Sequence, residues 1–396
     1  MELGLLTFRL LNFWTFKLVL IMDKPKKVAI AHDWLTGMRG GEKCLEVFCE
    51  LFPDATLFTL IHDKGKMSET IENMDIKTSF IQKMPFALKK YRNFLPFFPA
   101  AIESFDLSEY DLVLSSSHCV AKGAKKNPNA LHICYCYTPV RYVWKFFDEY
   151  SSKDNPIKRF LIRKVMDGIK KWDLNSNKMV DCFVAISDNI KNRIKFYYNR
   201  DSDVIYPPVD TLSSSISSRD DGYYLIVSAL VPYKRVDLAV NAFSKSGRCL
   251  IVIGDGGEMG SLKKCAAKNV EFLGWVDDKK LREYYSNCSA LIFPGDEDFG
   301  IVPLEAQLRG KPVIAFKKGG VLETVIPYDG SGKGTGIFFD EQTESSLNKA
   351  VELFEKEKKV FRPENIRANA ERFNRGRFKR EIEEYISDKW EEHIRP

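Results

Sequence analysis

Residues 290–316 read ALIFPGDEDFGIVPLEAQLRGKPVIAF, and this order of apolar runs and breakers leaves few folds open. Residues 290–294 are a short apolar run closed by proline, which predicts a buried strand. Residues 295–300 are an acidic loop bounded by glycine. Residues 301–308 predict a helix, with Pro303 tolerated in its first turn and Gly310 as its terminator. Residues 313–316 are the next strand. A loop that runs into a helix leaves backbone N–H groups free at the helix start. Those donors and the helix dipole favour an anion, most naturally a phosphate. Glu297 lies in the loop and Glu305 one turn into the helix, with seven residues between them. Carboxylates beside a phosphate site are suited to accept hydrogen bonds from hydroxyls, so the ligand implied is a sugar nucleotide. Two other readings use the same residues. An acidic loop before an ordinary helix can be merely solvated, and Asp296-Glu297-Asp298 has the Asp-x-Asp form that holds a divalent metal in other enzymes. The helix start already supplies positive charge, so no metal and no cofactor are expected.

The 396 residues give room for two domains of ordinary size. A net charge of +6 suits anionic substrates or an anionic membrane surface and does not by itself suggest nucleic acid. Nine cysteines, odd in number and scattered, suit the reduced thiols of a cytoplasmic protein. His132, Cys134 and Cys136 alternate along one strand face, but their spacing matches no common zinc motif. Residues 5–22 are apolar but short, and Arg9 and Lys17 interrupt them. They read as an interfacial segment or, preferably, as an upstream extension of the reading frame ahead of an ordinary enzyme start.

Two strand–helix series follow. In the first, residues 27–32 are a strand that runs through Asp33 and Gly37 to Gly40-Gly41, and 42–52 are a helix. The glycine spacing is not G-x-G-x-x-G, so a nicotinamide cofactor is not expected. Residues 57–61, 111–115, 131–137 and 180–186 are further strands, and Ser187-Asp188 is a helix N-cap pair. His118 follows the end of the strand 111–115, on the edge of a parallel sheet that faces a ligand crevice; the alternative is a histidine that caps a nearby helix. Residues 80–105 mix Phe86, Tyr91, Phe94, Phe97 and Phe98 with Lys83, Lys89, Lys90 and Arg92. This pattern suits either a membrane interface or a helical hairpin with one core face. Residues 155–178 read as a long surface helix. Residues 206–218, opening on Tyr206-Pro207-Pro208, are the linker.

In the second series, strands at 223–228, 249–253 and 270–273 are followed by Ala229, Gly254 and Gly274-Trp275 respectively. Helices are expected at 236–243 and 278–288. Residues 330–334 lack the Ser or Thr of a phosphate loop and read as a surface loop. Residues 365–386 show one long helical pattern. The expected architecture is α/β, with two facing doubly wound domains and a cleft between them. The first domain spans 25–205 after an extension at 1–24. The second spans 219–372, and a helix at 373–396 returns to the first.

The strings AHDWLTGMRGGEKCLE, SSSHCVAKG, HICYCYTPVRYVW, VSALVPYKRVDLAV, FLGWV, EDFGIVPLEAQLRGKPVIA and IRANAERFNRGRFKREI together resemble glycosyltransferase family 4, retaining enzymes of the two-Rossmann-domain (GT-B) type. They look most like the bacterial mannosyltransferases of O-antigen and other surface-polysaccharide assembly. The resemblance implies that Lys234 and Arg235 meet the donor diphosphate, Glu305 the ribose, and Glu297 the transferred sugar. It implies that Phe299, Gly300, Ile301 and Val302 offer backbone N–H groups, and that Gly40 and Gly41 let the first-domain backbone approach the diphosphate. Gly254, Gly274 and Trp275 complete the donor side. His118, Lys234 and Glu297 are the implied catalytic groups, with His118 steadying charge at the anomeric carbon. Many family members carry Arg where this chain has Ala229, which removes one diphosphate cation unless Arg235 replaces it. The implied donor is a nucleoside-diphosphate sugar, GDP-mannose by preference. The implied acceptor is a glycan, polyprenyl-diphosphate-linked, met at the inner face of the cell membrane. Two rivals stand beside this reading: a non-catalytic nucleotide-sugar-binding protein, and a GT-B-like nucleotide-sugar epimerase.

Overall fold

The computed structural model describes residues 24–140, 144, 156–211 and 215–395. Two parallel sheets organise them, each inside its own lobe. The first sheet comprises β1 (Val28–His32), β2 (Thr56–Thr59), β3 (Asp75–Thr78), β4 (Leu112–Ser117), β5 (Leu131–Cys136), β6 (Cys182–Ala185) and β7 (Asp203–Val204). Its strand order is β3-β2-β1-β4-β5-β6-β7. The second comprises β8 (Tyr224–Val227), β9 (Leu250–Ile253), β10 (Val270–Gly274), β11 (Ala290–Phe293), β12 (Val313–Phe316) and β13 (Gly336–Phe339), in the order β10-β9-β8-β11-β12-β13. The order reverses between β1 and β4 and again between β8 and β11, and crevices that bind ligands form beyond the strand ends at such points. β1, β4, β5 and β11 are buried along their whole length. Helices cover both faces of a sheet built this way, which is why these strands read as unbroken apolar runs and not as alternating ones.

The helix Gly40–Leu51 buries Cys44, Leu45, Val47, Phe48 and Cys49 against the first sheet. The helix Asp188–Tyr198 starts at Ser187, whose Oγ accepts from Ile190 N at 3.1 Å, as its sequence anticipates. The terminal helix Arg375–Ile394 lies on the first lobe. Its Phe378 ring sits 6.1 Å from Phe48 and 5.6 Å from Tyr135, and Arg375 pairs with Glu46 and Glu50. Burying a side chain such as Phe378 contributes about 1.5–3 kcal/mol, so this helix is firmly held there.

Two expectations are corrected. The pattern over 365–386 is two helices, Pro363–Glu371 and Arg375–Ile394. Asn374 caps the second by accepting from Arg377 N at 2.9 Å, and the carbonyl of Phe373 accepts from Val209 N at 2.9 Å. An asparagine that bonds its local backbone competes with the helix, so the pattern breaks there. Residues 80–105 form no long hairpin but a chain of short turns, Phe80–Lys83, Ala87–Lys90, Tyr91–Phe97 and Phe98–Glu103, with Pro96 inside the third. Their inner side chains Tyr91 and Phe98 pack on Trp34 at 5.0 and 6.0 Å, while Phe80, Phe86, Leu88 and Phe97 are exposed. The alternation of His132, Cys134 and Cys136 serves the interior. His132 contacts Ser115 Oγ at 2.8 Å and Met179 O at 2.9 Å, and burial pushes its imidazole down to about 4. Residues 1–23 lie outside the described set. Among the described residues no helix is long and apolar enough to cross a membrane.

The chain crosses between lobes twice, at 206–210 and at 372–375. The crossings lie side by side, joined by the Val209–Phe373 hydrogen bond and by Arg377 Nη2, which donates to Tyr206 O at 2.8 Å.

Candidate active site

At the first switch point β1 hands the chain to Asp33, and β4 hands it to His118. Asp33 is fully buried. Its Oδ2 accepts the backbone N–H of His118 at 2.7 Å and of Cys119 at 2.9 Å; its Oδ1 accepts those of Val120 at 2.6 Å and Ala121 at 2.8 Å. His118 Nδ1 lies 3.0 Å from the same Oδ2. Burial alone would raise this carboxyl, but the His118 ring hydrogen-bonded to it, with His32 behind, holds it well below the usual carboxylate range. The Trp34 ring meets His118 edge-on at 4.3 Å, so the imidazole is clamped on one face while 29% of its side chain stays exposed. His32 Nδ1 contacts Ser116 Oγ at 3.0 Å, and Ser116 Oγ contacts Tyr137 OH at 2.8 Å. Tyr137 in turn donates to Gly41 O at 2.8 Å. This chain of contacts ties the Gly40-Gly41 loop to the end of β4.

At the second switch point Lys234, closing the short turn Pro232–Lys234 after β8, pairs through Nζ with Glu297 Oε2. The two backbones nearly touch, since a Cβ on Gly295 would lie 3.2 Å from Lys234 Cα. Arg235 is not part of this group. It has a left-handed backbone, with φ of 53°, and its guanidinium turns to Asp237 at 3.2 Å and Gln342 at 3.5 Å. Ala229 is exposed. Gly254 presses on the end of β8, where a Cβ would sit 1.9 Å from Ser228 O, and its N–H donates to Gly274 O at 2.8 Å. Trp275, next in the chain, is 80% exposed.

Gly300 starts the helix Ile301–Gln307 with φ of 107°, a conformation open to glycine. Phe299 turns inward and stacks on Tyr206 at 5.7 Å, and Phe373 meets both rings, at 5.7 Å from Phe299 and 5.4 Å from Tyr206. Val302 is half-buried in the second-lobe core. Glu305 accepts from Tyr285 OH at 2.9 Å. Burial pushes its carboxyl upward, with Lys43 of the first lobe opposing. Lys43, Asp278, Arg282, Tyr285, Glu305 and Arg309 line one pocket between the lobes. The helix starts meet here: a Cβ on Gly40 would lie 2.5 Å from Ile301 Cδ1.

The acidic loop is also the seam. Asp298 Oδ1 receives Arg193 Nη1 at 2.5 Å, and Asp296 lies 3.7 Å from Arg193 and 3.6 Å from Lys318. Ser187 Oγ donates to Asp298 O at 2.7 Å. Across from it, Glu323 accepts the N–H groups of Asp188 at 2.7 Å and Asn189 at 3.0 Å. The two aspartates of the Asp-x-Asp are therefore ion-paired, and among the described residues no three metal-ligating side chains cluster. The structure thus brings Lys234 to Glu297 and Gly40 to Ile301, leaves Arg235 apart, and adds Asp33, Lys43, Tyr285 and Arg193, which the sequence reading did not single out.

Residues 211–373 match the family described as glycosyl transferases group 1. The chain is 23% identical to the alpha-1,3/1,6-mannosyltransferase ALG2 of Kluyveromyces lactis, over 85% of this chain and 79% of that protein. It is 32% identical to the O-antigen chain mannosyltransferase RfbU of Salmonella typhimurium, over 33% of this chain and 40% of that one. Several other curated relatives are likewise matched over only about half of their own length. The crystal structure of HepE from Anabaena in complex with UDP superposes with a TM-score of 0.64 at 18% identity, covering 91% of this chain and 100% of that one.

Proposed function

We propose that this chain, which carries a glycosyl transferases group 1 domain over residues 211–373 within a GT-B fold, is a retaining, metal-independent family 4 hexosyltransferase. Its donor is a nucleoside-diphosphate sugar, GDP-mannose in preference to a UDP-sugar, and its acceptor a lipid-linked glycan of surface-polysaccharide synthesis. The observations that carry this reading are the Lys234–Glu297 pair at one switch point and a clamped histidine at the other. The mannosyltransferase relatives support the choice of sugar.

In this mechanism the donor diphosphate takes Lys234 from Glu297, and the freed carboxylate accepts a hydroxyl of the transferred sugar. Glu305 accepts from the ribose, and the backbone of Phe299, Gly300, Ile301 and Val302 lies along sugar and phosphate. The bond between the anomeric carbon and the leaving phosphate oxygen breaks while the acceptor oxygen bonds the same face. The acceptor's proton passes to the leaving diphosphate. Lys234 stabilises the charge that grows on that phosphate, and His118 steadies the anomeric carbon. The exposed Phe80, Phe86, Leu88 and Phe97, interleaved with Lys83, Lys89, Lys90 and Arg92, suit contact with an anionic membrane that presents the acceptor.

Purified protein tests this with GDP-mannose and UDP-glucose in parallel, read by thermal shift and by transfer to a polyprenyl-diphosphate glycan. A bound donor at about 100 times its Kd adds about 2.7 kcal/mol of stability. Ala229, with Arg235 held by Asp237, motivates the second reading of a nucleotide-sugar-binding protein. Donor binding without transfer or hydrolysis is the result that would favour it.

A further inference from the structure

Asp33 makes more contacts than loop closure needs. Four backbone N–H groups, from His118 to Ala121, already fill its two oxygens and hold the turn after β4. The fifth contact, at 3.0 Å, is to the His118 ring. A carboxylate only accepts, so the ring nitrogen facing it must carry a hydrogen. In a neutral imidazole the other nitrogen then carries none. The ring cannot easily flip to exchange the two, because Trp34 lies edge-on against it at 4.3 Å. Among the described residues, the other rings beside it are His32 and Tyr137, each 6.2 Å away between centroids, with Glu42 beyond His32 at 3.6 Å from its Nε2. None of these competes for His118 Nδ1.

We propose that Asp33 is the positioning residue of this site: it fixes His118 with hydrogen on Nδ1, so that Nε2 is offered as an acceptor to a sugar hydroxyl of the donor. The proposal rests on the reading of His118 as a sugar contact and adds a direction to it. The ligand hydroxyl donates and the imidazole receives. A carboxylate buried this deeply is costly unless it is fully hydrogen-bonded, and the backbone cradle meets that cost before any ligand arrives. The geometry of His118 is therefore set in the unliganded protein.

The test uses the full chain with 15N-labelled histidine. Whenever the ring is neutral, the wild-type spectrum should show His118 with hydrogen on Nδ1 and Nε2 bare. Asp33→Asn keeps an acceptor oxygen for part of the cradle but turns an amide N–H toward Nδ1, which should move the hydrogen to Nε2. Its turnover should fall on the order of 100-fold while donor Kd stays within about threefold. The double variant with His118→Ala should be no slower than His118→Ala alone, because the two residues act as one unit. A wild-type Nε2–H tautomer, or single-variant losses that multiply in the double variant, would overturn the proposal. If Asp33→Asn does not fold, the wild-type spectrum still decides. If His118→Ala transfers sugar as fast as the parent, the functional reading of His118 fails, whereas the tautomer assignment is judged separately by the spectrum.

Discussion

At the end of β4 the charged side chains are tied to backbone; at the end of β11 they are tied to each other. Asp33 is held by four peptide N–H groups and His118 by Asp33 and Trp34. These partners cannot leave unless a loop unfolds. Lys234 and Glu297 have side-chain exposures of 13% and 21% and face each other. Each is held by the other's side chain and not by backbone, so a ligand that offers an equivalent partner can take either of them. One switch point is thus held by backbone, and the other by an ion pair between two side chains; in the proposed mechanism the first is a fixed template and the second a pair that exchanges partners.

The sharpest way to break this contrast is Lys234→Ala. If the pair exists to be exchanged, kcat/KM should drop on the order of 1,000-fold, with donor affinity falling too, as when a charged transition-state partner is removed. A loss under tenfold, measured by steady-state kinetics, would mean that the pair only closes the cleft. The next test attacks the rigid side by pH. The His132 imidazole is pushed down to about 4 by burial, whereas the unfolded chain protonates near 6.5. The unfolded state therefore binds the proton first, and stability present above about pH 6.5 is lost as pH falls toward 4, by about 3 kcal/mol. Denaturant unfolding across that range should show this loss in the parent and a flatter profile in His132→Gln. His118→Ala should lower turnover on the order of 100-fold with donor affinity nearly intact, and titration of donor binding checks the second half. Smaller effects separate the two glutamates. Glu305→Ala should weaken free nucleoside diphosphate about tenfold, and Glu297→Ala only the sugar-bearing donor, each by one charged hydrogen bond. Equal losses of diphosphate affinity would reverse their assignment. The smallest effect expected is none: excess EDTA should leave transfer unchanged, because Arg193 and Lys318 already face Asp296 and the proposed mechanism gives the phosphate charge to Lys234.

Both sheets and their central strands were legible because strands buried on both faces leave long apolar runs between glycine and proline. The edge strand β3 was not, since Asp75–Thr78 is polar and mostly exposed. The break before Arg375 was masked by helix-like periodicity that continues on both sides of Asn374. In the candidate site, local spacing singled out Glu297 and Glu305, and the family resemblance singled out Lys234. Asp33 was not, because its partners lie 85–88 residues away, and neither was Arg193, whose partner Asp298 lies 105 residues along the chain. Lys43 adjoins Gly40-Gly41-Glu42 in sequence, but only the approach of the two lobes shows that it looks toward Glu305.

The aromatic contact of Phe299 has a mechanical meaning. Both strands that link the lobes pass through one place, where Val209 and Phe373 are bonded, and rotation about that line is the rigid motion that stretches neither. Tyr206 and Phe373 are the axle, and Phe299 rests against both at 5.7 Å. Phe299 is two residues from Glu297 and one from Gly300. A swing of the lobes about that line would therefore act directly on the loop that carries Glu297, so the angle of the cleft and the pose of Glu297 would turn together.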